Sequence, residues 1–584
     1  LMKEAKMKTL TAEQHEVLES AQHHVARRIP NGIKPRILSW EEVLNGVPTW
    51  QHTRALNMKT ACGVPEKWDS KNTKGKLAFV ENVGDQLHPH WKFKDDYLPK
   101  VEEYIECLRR DQPERCKVYW QVCMKDERRL LEKIEDVSTR LFSASSFKHL
   151  AARRKFFQCL VENMMSDPIN SFSAMGINVH SQDWELLRQR LFKWGDKTRA
   201  FPGDFKRYDG SLNDVFDHYV CECMIEWYRL NDVNKVFTES DYKVMNWLNW
   251  NTYHGTYIVM NILFQTKVPG SNPSGDLLTT VFNIISNAIA HAFCAVMEAR
   301  RQNIPGKNGK YTVADYFDQF EQTFFGDDNI DTTNQTWYSM KAKAEWMAVL
   351  GLTYTSPDKT PIGEKVYYTE EEVTFLKRKF VKRNGLCFAP LPLENVLEIT
   401  NWVRKSFTPL TDRTTVNCEA AMRELFHHGQ DTYDLYLAKI DAALAQKGCK
   451  FMRYTSYEDL LDEFMHGGMK QIHDLDPFVD PLTSFESDLA LELEPEIHAQ
   501  MEKGTDIPIT TEVQQLTTFN DDMKEIDVET TGTRSAIYGR TNPYMDQNVT
   551  KLLTRPAFLT PISWSGASTV GTLLTTYNFP ADLE

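Results

Sequence analysis

The spacing of apolar and polar residues changes along this chain, and each change marks an element. Around Phe317, Phe320, Phe324 and Phe325 the aromatic content favours an extended strand. That strand runs into Gly326-Asp327-Asp328, where glycine permits a tight turn. From Leu277 to Met297 no residue is charged, and the run is long enough to span a bilayer. Thr279, Asn283, Ser286, Asn287 and His291 interrupt it. Leu278, Val281, Phe282, Ile285, Ile289 and Ala292 share one helical face, so the pattern predicts an amphipathic helix rather than a membrane span. Helical spacing also covers 10–48, 145–198, Trp337 to Leu350 and 390–475, the last with Trp402, Met422, Leu425, Tyr433 and Leu437 as core. Extended chain is expected near Val118 to Val122, and a β-hairpin from Val373 to Phe380.

A chain of 584 residues is too long for one core, so several subdomains are expected. Its 41% apolar content is that of a folded protein. The 11 cysteines show no Cys-x-x-Cys spacing, so neither a disulfide framework nor a zinc site is indicated, which fits a reducing compartment. With Leu1 first and no signal peptide, the sequence reads as an internal piece of a longer chain. The net charge of −13 argues against nucleic-acid binding until its distribution is considered. Residues 486–529 carry a net of −11 and residues 530–584 a net of +1, which leaves the first 485 at only −3. A near-neutral domain can still present local basic grooves.

Five stretches carry candidate chemistry. A turn presenting Asp327 and Asp328 at a strand tip suits a hard cation, although a solvated turn has the same sequence. Asp204 and Asp209 lie in Phe201-Pro202-Gly203-Asp204-Phe205-Lys206-Arg207-Tyr208-Asp209, with Asp204 expected at a strand end and Asp209 on the next turn. Gly270-Ser271-Asn272-Pro273-Ser274-Gly275 feeds a helix on which Thr279 and Asn283 share a face. Ser274 would serve as its cap, and the glycine loop suits a site that closes on substrate. Residues 100–140 are dense in Lys and Arg; interleaved acids allow a surface reading, and a phosphate-neutralising finger is the functional one. Before them, the loop Thr60 to Pro65 offers a hydroxyl to a phosphate.

Taken in order, Asp204-x4-Asp209, Ser274-Gly275-x3-Thr279-x3-Asn283 and Phe325-Gly326-Asp327-Asp328 resemble the RNA-dependent RNA polymerases of picorna-like positive-strand RNA viruses, in wording nearest the dicistroviruses and marnaviruses. The resemblance covers about residues 1–475. It implies an α+β right-hand polymerase with an antiparallel palm sheet: fingers and N-terminal region over 1–200, palm over 201–385 with a fingers insertion at about 215–265, and helical thumb over 386–480. An acidic linker over 481–530 and an incomplete β-rich segment over 531–584, resembling the start of a capsid protein, would follow.

By position, the resemblance implies that Asp204 and Asp327 bind two Mg²⁺ (Mn²⁺ as a substitute), with Asp328 as supporting ligand. Asp209 and Asn283 would sense the ribose 2′-OH, supported by Ser274, Gly275 and Thr279. Lys125, Arg129, Lys133 and Arg140 would line the channel through which NTPs enter. Thr60, Gly63 and Pro65 would guide the template, and Phe375, Leu376, Lys377 and Arg378 would form the primer grip. Lys359 would be the general acid for pyrophosphate. Two departures stand out: Phe325 replaces the usual tyrosine, and Ser138 stands where relatives often carry lysine. Implied partners are an RNA template and nascent strand, a genome-linked protein primer, a viral protease cleaving after a Gln such as Gln500, Gln514 or Gln515, and capsid proteins. The implied location is the host cytoplasm at membrane-associated replication complexes. The rivals are a reverse transcriptase and an inactive polymerase-like precursor.

Overall fold

The helix Thr279–Arg301 is the axis of the molecule. In the computed structural model its most apolar window is wholly buried inside the protein, so its length and composition serve a core. The expected apolar face is inward, and so are Asn283, Ser286, Asn287 and His291, each at 0% exposure. The helix is therefore packed on all sides rather than amphipathic, and Asn283 and Asn287 find hydrogen-bond partners in place of water. Around it lie the helices Ala12–Ala26, Asp214–Asn231 and Met340–Val349 and the strand Phe320–Phe325. Each Ile or Phe so enclosed contributes about 1.5–3 kcal/mol by leaving water.

The structure describes residues 9–468, apart from 70–74, 86–87, 113–115, 126–133, 136–139, 260–261, 265–270, 359, 402–408, 452 and 454. Arg129, Lys133, Ser138, Lys359, Trp402, the whole expected acidic linker over 481–530 and the whole capsid-like segment over 531–584 thus lie outside the described residues.

Beside the axis, Phe320–Phe325 and Asp328–Thr333 form an antiparallel hairpin in which Phe325 faces Asp328 across the turn. Its second strand pairs antiparallel with Arg199–Ala200. A separate pair joins Asp204–Phe205 to Tyr354–Thr355, with Thr355 opposite Asp204. A four-stranded sheet runs in the order Leu141–Ala144, Tyr119–Met124, Thr256–Val259, Ile262–Phe264, its middle pair parallel. Further along the chain, Leu410–Leu425, Gln430–Gln446 and Tyr457–Met465 enclose their own core, including Met422, Leu425, Phe426, Tyr433 and Phe464.

The helical expectation for 145–198 holds only at its ends. Ser146 caps the helix Phe147–Ser166 by accepting from the His149 N–H, and a second helix spans Asp183–Leu191. Between them Pro168 cannot continue a helix. The chain there lies along the hairpin instead: Phe324 donates its N–H to Phe172 O, and Ala174 donates to Phe324 O, both at 2.8 Å.

Candidate active site

The site begins at the hairpin turn. Gly326 adopts φ 62, which an L side chain resists, and Asp327 completes the turn before Asp328 opens the next strand. The turn re-aims the two carboxylates. Asp328 Oδ2 accepts the Leu376 N–H at 3.0 Å, towards the hairpin Thr374–Phe375/Arg378–Lys379.

Asp204 is brought to this turn by the backbone. Gly203 forms an antiparallel bridge with Asn329. The Asn329 amide donates to both Gly203 O and Asp327 O at 3.0 Å each, so one side chain ties the two carboxylate-bearing segments together. Loss of hydration raises the Asp328 pKa most, then the Asp327 charge, with Asp204 adding to it; despite the Leu376 N–H it is pushed up to about 7. The donors are hard oxygens whose mutual repulsion a divalent cation would relieve, so they fit a metal such as Mg²⁺. Among the described residues no group of three acidic, His or Cys side chains is already drawn into a metal cage.

Asp209 is held next to the central helix. Asn283 Nδ2 donates to Asp209 Oδ1 at 2.8 Å, and Ser274 Oγ donates to Oδ2 at 3.1 Å. Ser274 is therefore not a helix cap; the helix starts at Thr279, with no side chain capping it. The Thr279 hydroxyl is 2.9 Å from Pro273 O and 3.0 Å from Asp276 O, so it shapes the loop rather than meeting Asp209. At its described end the glycine loop is anchored, not loose. Arg153 grips Asp276 at 2.7 Å with both side chains buried, and Ser143 N–H donates to Ser274 O at 2.6 Å. Gly275 lies so close to that strand that a Cβ would fall 2.3 Å from Ser143 O.

Sequence reasoning missed two asparagines. Asn272 Nδ2 donates to Asn283 Oδ1 at 2.8 Å, which fixes the orientation of the Asn283 amide and turns its N–H towards Asp209. Asn287, one turn beyond Asn283, donates to Gly326 O at 2.8 Å. Its helical spacing from Asn283 was the available signal; for Asn272 there was none.

Of the basic group, Lys125 and Arg140 are joined through the backbone, Lys125 N–H to Arg140 O at 2.8 Å, and both are half-buried. Thr60 departs from expectation. Its hydroxyl donates to Asn57 O at 2.9 Å, accepts from Lys76 and is buried, so it is not turned out to meet phosphate. Gly63 presses on Ser145 O, and Pro65 follows in the same half-buried loop.

The expected primer grip is a hairpin, but only Lys377 of its four residues is exposed. Phe375 and Leu376 are buried. Arg378 is a correction: its guanidinium makes two 2.8 Å bonds to Glu424 and a 2.7 Å bond to Ala389 O, leaving it no face for RNA. The charge was legible in the sequence, and the distant partner that consumes it was not.

The model of the family described as viral RNA-dependent RNA polymerase matches residues 4–457. The replicase polyprotein of acute bee paralysis virus is 28% identical over 436 residues, 73% of this chain and 22% of that protein. The genome polyprotein of rice tungro spherical virus is 28% identical over 72% of this chain and 12% of its own length. The chain therefore spans less than a quarter of either curated relative. Among solved structures, the Sicinivirus 3Dpol RNA-dependent RNA polymerase superposes with a TM-score of 0.59 at 18% identity, covering 78% of this chain and 85% of that one, a likeness of right-hand polymerase fold. With most of its length matched by that family model, this chain belongs to the viral RNA-dependent RNA polymerases.

Proposed function

We propose that this chain extends RNA from NTPs on an RNA template, with Asp204 and Asp327 as ligands of two Mg²⁺ and Asp328 as supporting ligand. The observation that carries the reading is the Asn329 amide, which holds the backbone beside Asp204 and the backbone of Asp327 together. Two metal ions held there would supply charge neutralisation at the primer 3′-oxygen and at the departing pyrophosphate. The protein's own part is positioning, which phosphoryl transfer needs more than covalent help. Asp209 and Asn283 present an acceptor and a donor side by side, the pair a ribose 2′-OH can satisfy. Lys125 and Arg140, with Arg129 and Lys133 from the same segment, would neutralise the triphosphate; Lys377 is an exposed cation of the hairpin beside Asp328. Lys359, four positions beyond Thr355, would donate the proton to pyrophosphate.

The same reading takes in a wider setting that the family resemblance implies: a genome-linked protein as primer, a viral protease for release, capsid proteins downstream and replication complexes on host cytoplasmic membranes; the relatives themselves are named only as polyproteins. The deciding assay supplies a primed RNA template, Mg²⁺ and either rNTPs or dNTPs. Extension with rNTPs, abolished by Asp204→Asn and by Asp327→Asn, is expected. Preference for dNTPs would make the chain a reverse transcriptase, and no extension by the intact chain would make it an inactive precursor.

A further inference from the structure

Beneath the carboxylates lies an ion pair that no step above uses. Lys343, on the helix Met340–Val349, pairs with Asp331, on the strand Asp328–Thr333, and both side chains are at 0% exposure. His291 Nδ1 lies 3.3 Å from Asp331 Oδ1. Burial, then the Lys343 charge, lower the His291 pKa to about 4, so the imidazole is neutral beside the Lys343–Asp331 pair at neutral pH. Burying such a pair is a poor route to stability, since the desolvation of both ions offsets their attraction. Its value lies in what it holds.

Lys343 Nζ also donates to Phe201 O at 2.5 Å, three residues before Asp204, and lies 4.8 Å over the Tyr354 ring. The Tyr354 hydroxyl donates to Asn329 Oδ1 at 2.8 Å and is 3.3 Å from Phe201 O. Asn329 in turn spends its two N–H bonds on Gly203 O and Asp327 O. The Tyr354 ring lies directly on Gly203, where a Cβ would be 2.0 Å from the ring. Next along the chain, the Thr355 hydroxyl donates to Asp204 O at 3.1 Å. An ion pair, a phenol and an amide thus fix the strand end at 204 against the turn at 327 and the segment leading to 359.

We propose that the Lys343–Asp331 pair, acting through Tyr354 and Asn329, is a positioning device that sets the spacing of the Asp204 and Asp327 carboxylates and through it the affinity of the site for divalent cation. The proposal rests on the polymerase reading of those carboxylates, and its test separates the two. Tyr354→Phe removes one hydroxyl and leaves the ring on Gly203. Lys343→Met with Asp331→Leu removes both charges together. Mn²⁺ retention is read by electron paramagnetic resonance on the full chain with primed RNA, beside the Mg²⁺ concentration that half-saturates single-nucleotide addition and the melting temperature.

Tyr354→Phe is expected to weaken Mn²⁺ retention about tenfold, the size of effect seen when partners behind metal ligands are lost. The half-saturating Mg²⁺ concentration should rise in step. Unchanged metal dependence with only a lower melting temperature would overturn the proposal. If the paired substitution fails to fold, Tyr354→Phe alone decides. Should the intact chain retain Mn²⁺ yet add no nucleotide, the polymerase reading falls while the Mn²⁺ comparison still judges the positioning role.

Discussion

Asn283 and Asp209, 74 positions apart, are joined by a 2.8 Å hydrogen bond deep in the protein. The bond fixes which amide atom faces the carboxylate, because Asn272 already occupies the Asn283 carbonyl. A site that hydrogen-bonds a hydroxyl rejects substrates lacking it far better than an apolar pocket does. Asn283→Ala removes one of those groups. Discrimination between an rNTP and the matching dNTP should fall about tenfold, the worth of one net hydrogen bond near 1.4 kcal/mol. Single-nucleotide kcat/KM for the two sugars checks this, and an unchanged ratio would remove Asn283 from sugar selection.

Arg378 and Glu424 join the hairpin Thr374–Phe375/Arg378–Lys379 to the helix Leu410–Leu425. Burial raises the Glu424 pKa, but Arg378 and then His180 outweigh it and hold the carboxyl well below the usual range. Its stabilising share is present above the ordinary glutamate pKa and lost as pH falls through the lowered one. Arg378→Met strands a buried carboxylate and should cost about 3–5 kcal/mol in chemical unfolding at pH 7.5. Adding Glu424→Leu should recover most of that loss. A single-variant loss below about 1 kcal/mol, the level of an exposed pair, would contradict the account.

His149 sits between the Tyr104 hydroxyl at 2.8 Å and Thr252 Oγ1 at 3.0 Å. Burial, then the Arg153 charge, lower its pKa from 6.5 to about 3. Below pH 6.5 the unfolded chain takes a proton that the folded chain refuses, so stability falls as pH falls through that window. Between pH 6.5 and 5 this group costs up to about 2 kcal/mol. Urea unfolding at the two pH values measures it, and His149→Gln should make the decline shallower. Parallel slopes for the two chains would exclude His149 as a contributor.

Lys359 follows Asp358, whose carboxylate accepts from Ser356 Oγ at 2.9 Å and from Thr360 Oγ1 at 2.6 Å, a tight local turn. The chain enters that turn from Thr355, paired with Asp204. If Lys359 gives its proton to pyrophosphate, Lys359→Leu should slow each addition roughly 10²-fold, within the range of general acid catalysis. A single-turnover rate equal to that of the intact chain would take Lys359 out of the mechanism.

Local order made much of this chain legible. The aromatic run before Gly326-Asp327-Asp328 specifies a strand and turn, the spacing from Leu278 to Ala292 specifies a helix, and Val373 to Phe380 a hairpin. These depend on neighbours within a few residues, so the sequence by itself determined them, together with the order of motifs that marks the family. Which way a polar side chain faces is another matter. Arg378, Thr60, Lys343 and Asp331 look like surface residues, yet they are buried. Only the tertiary structure decided that, because each is satisfied by a group distant in sequence or by a newly formed turn. A charge or hydroxyl accepts burial when its partner arrives with the fold, and no short-range pattern announces that partner.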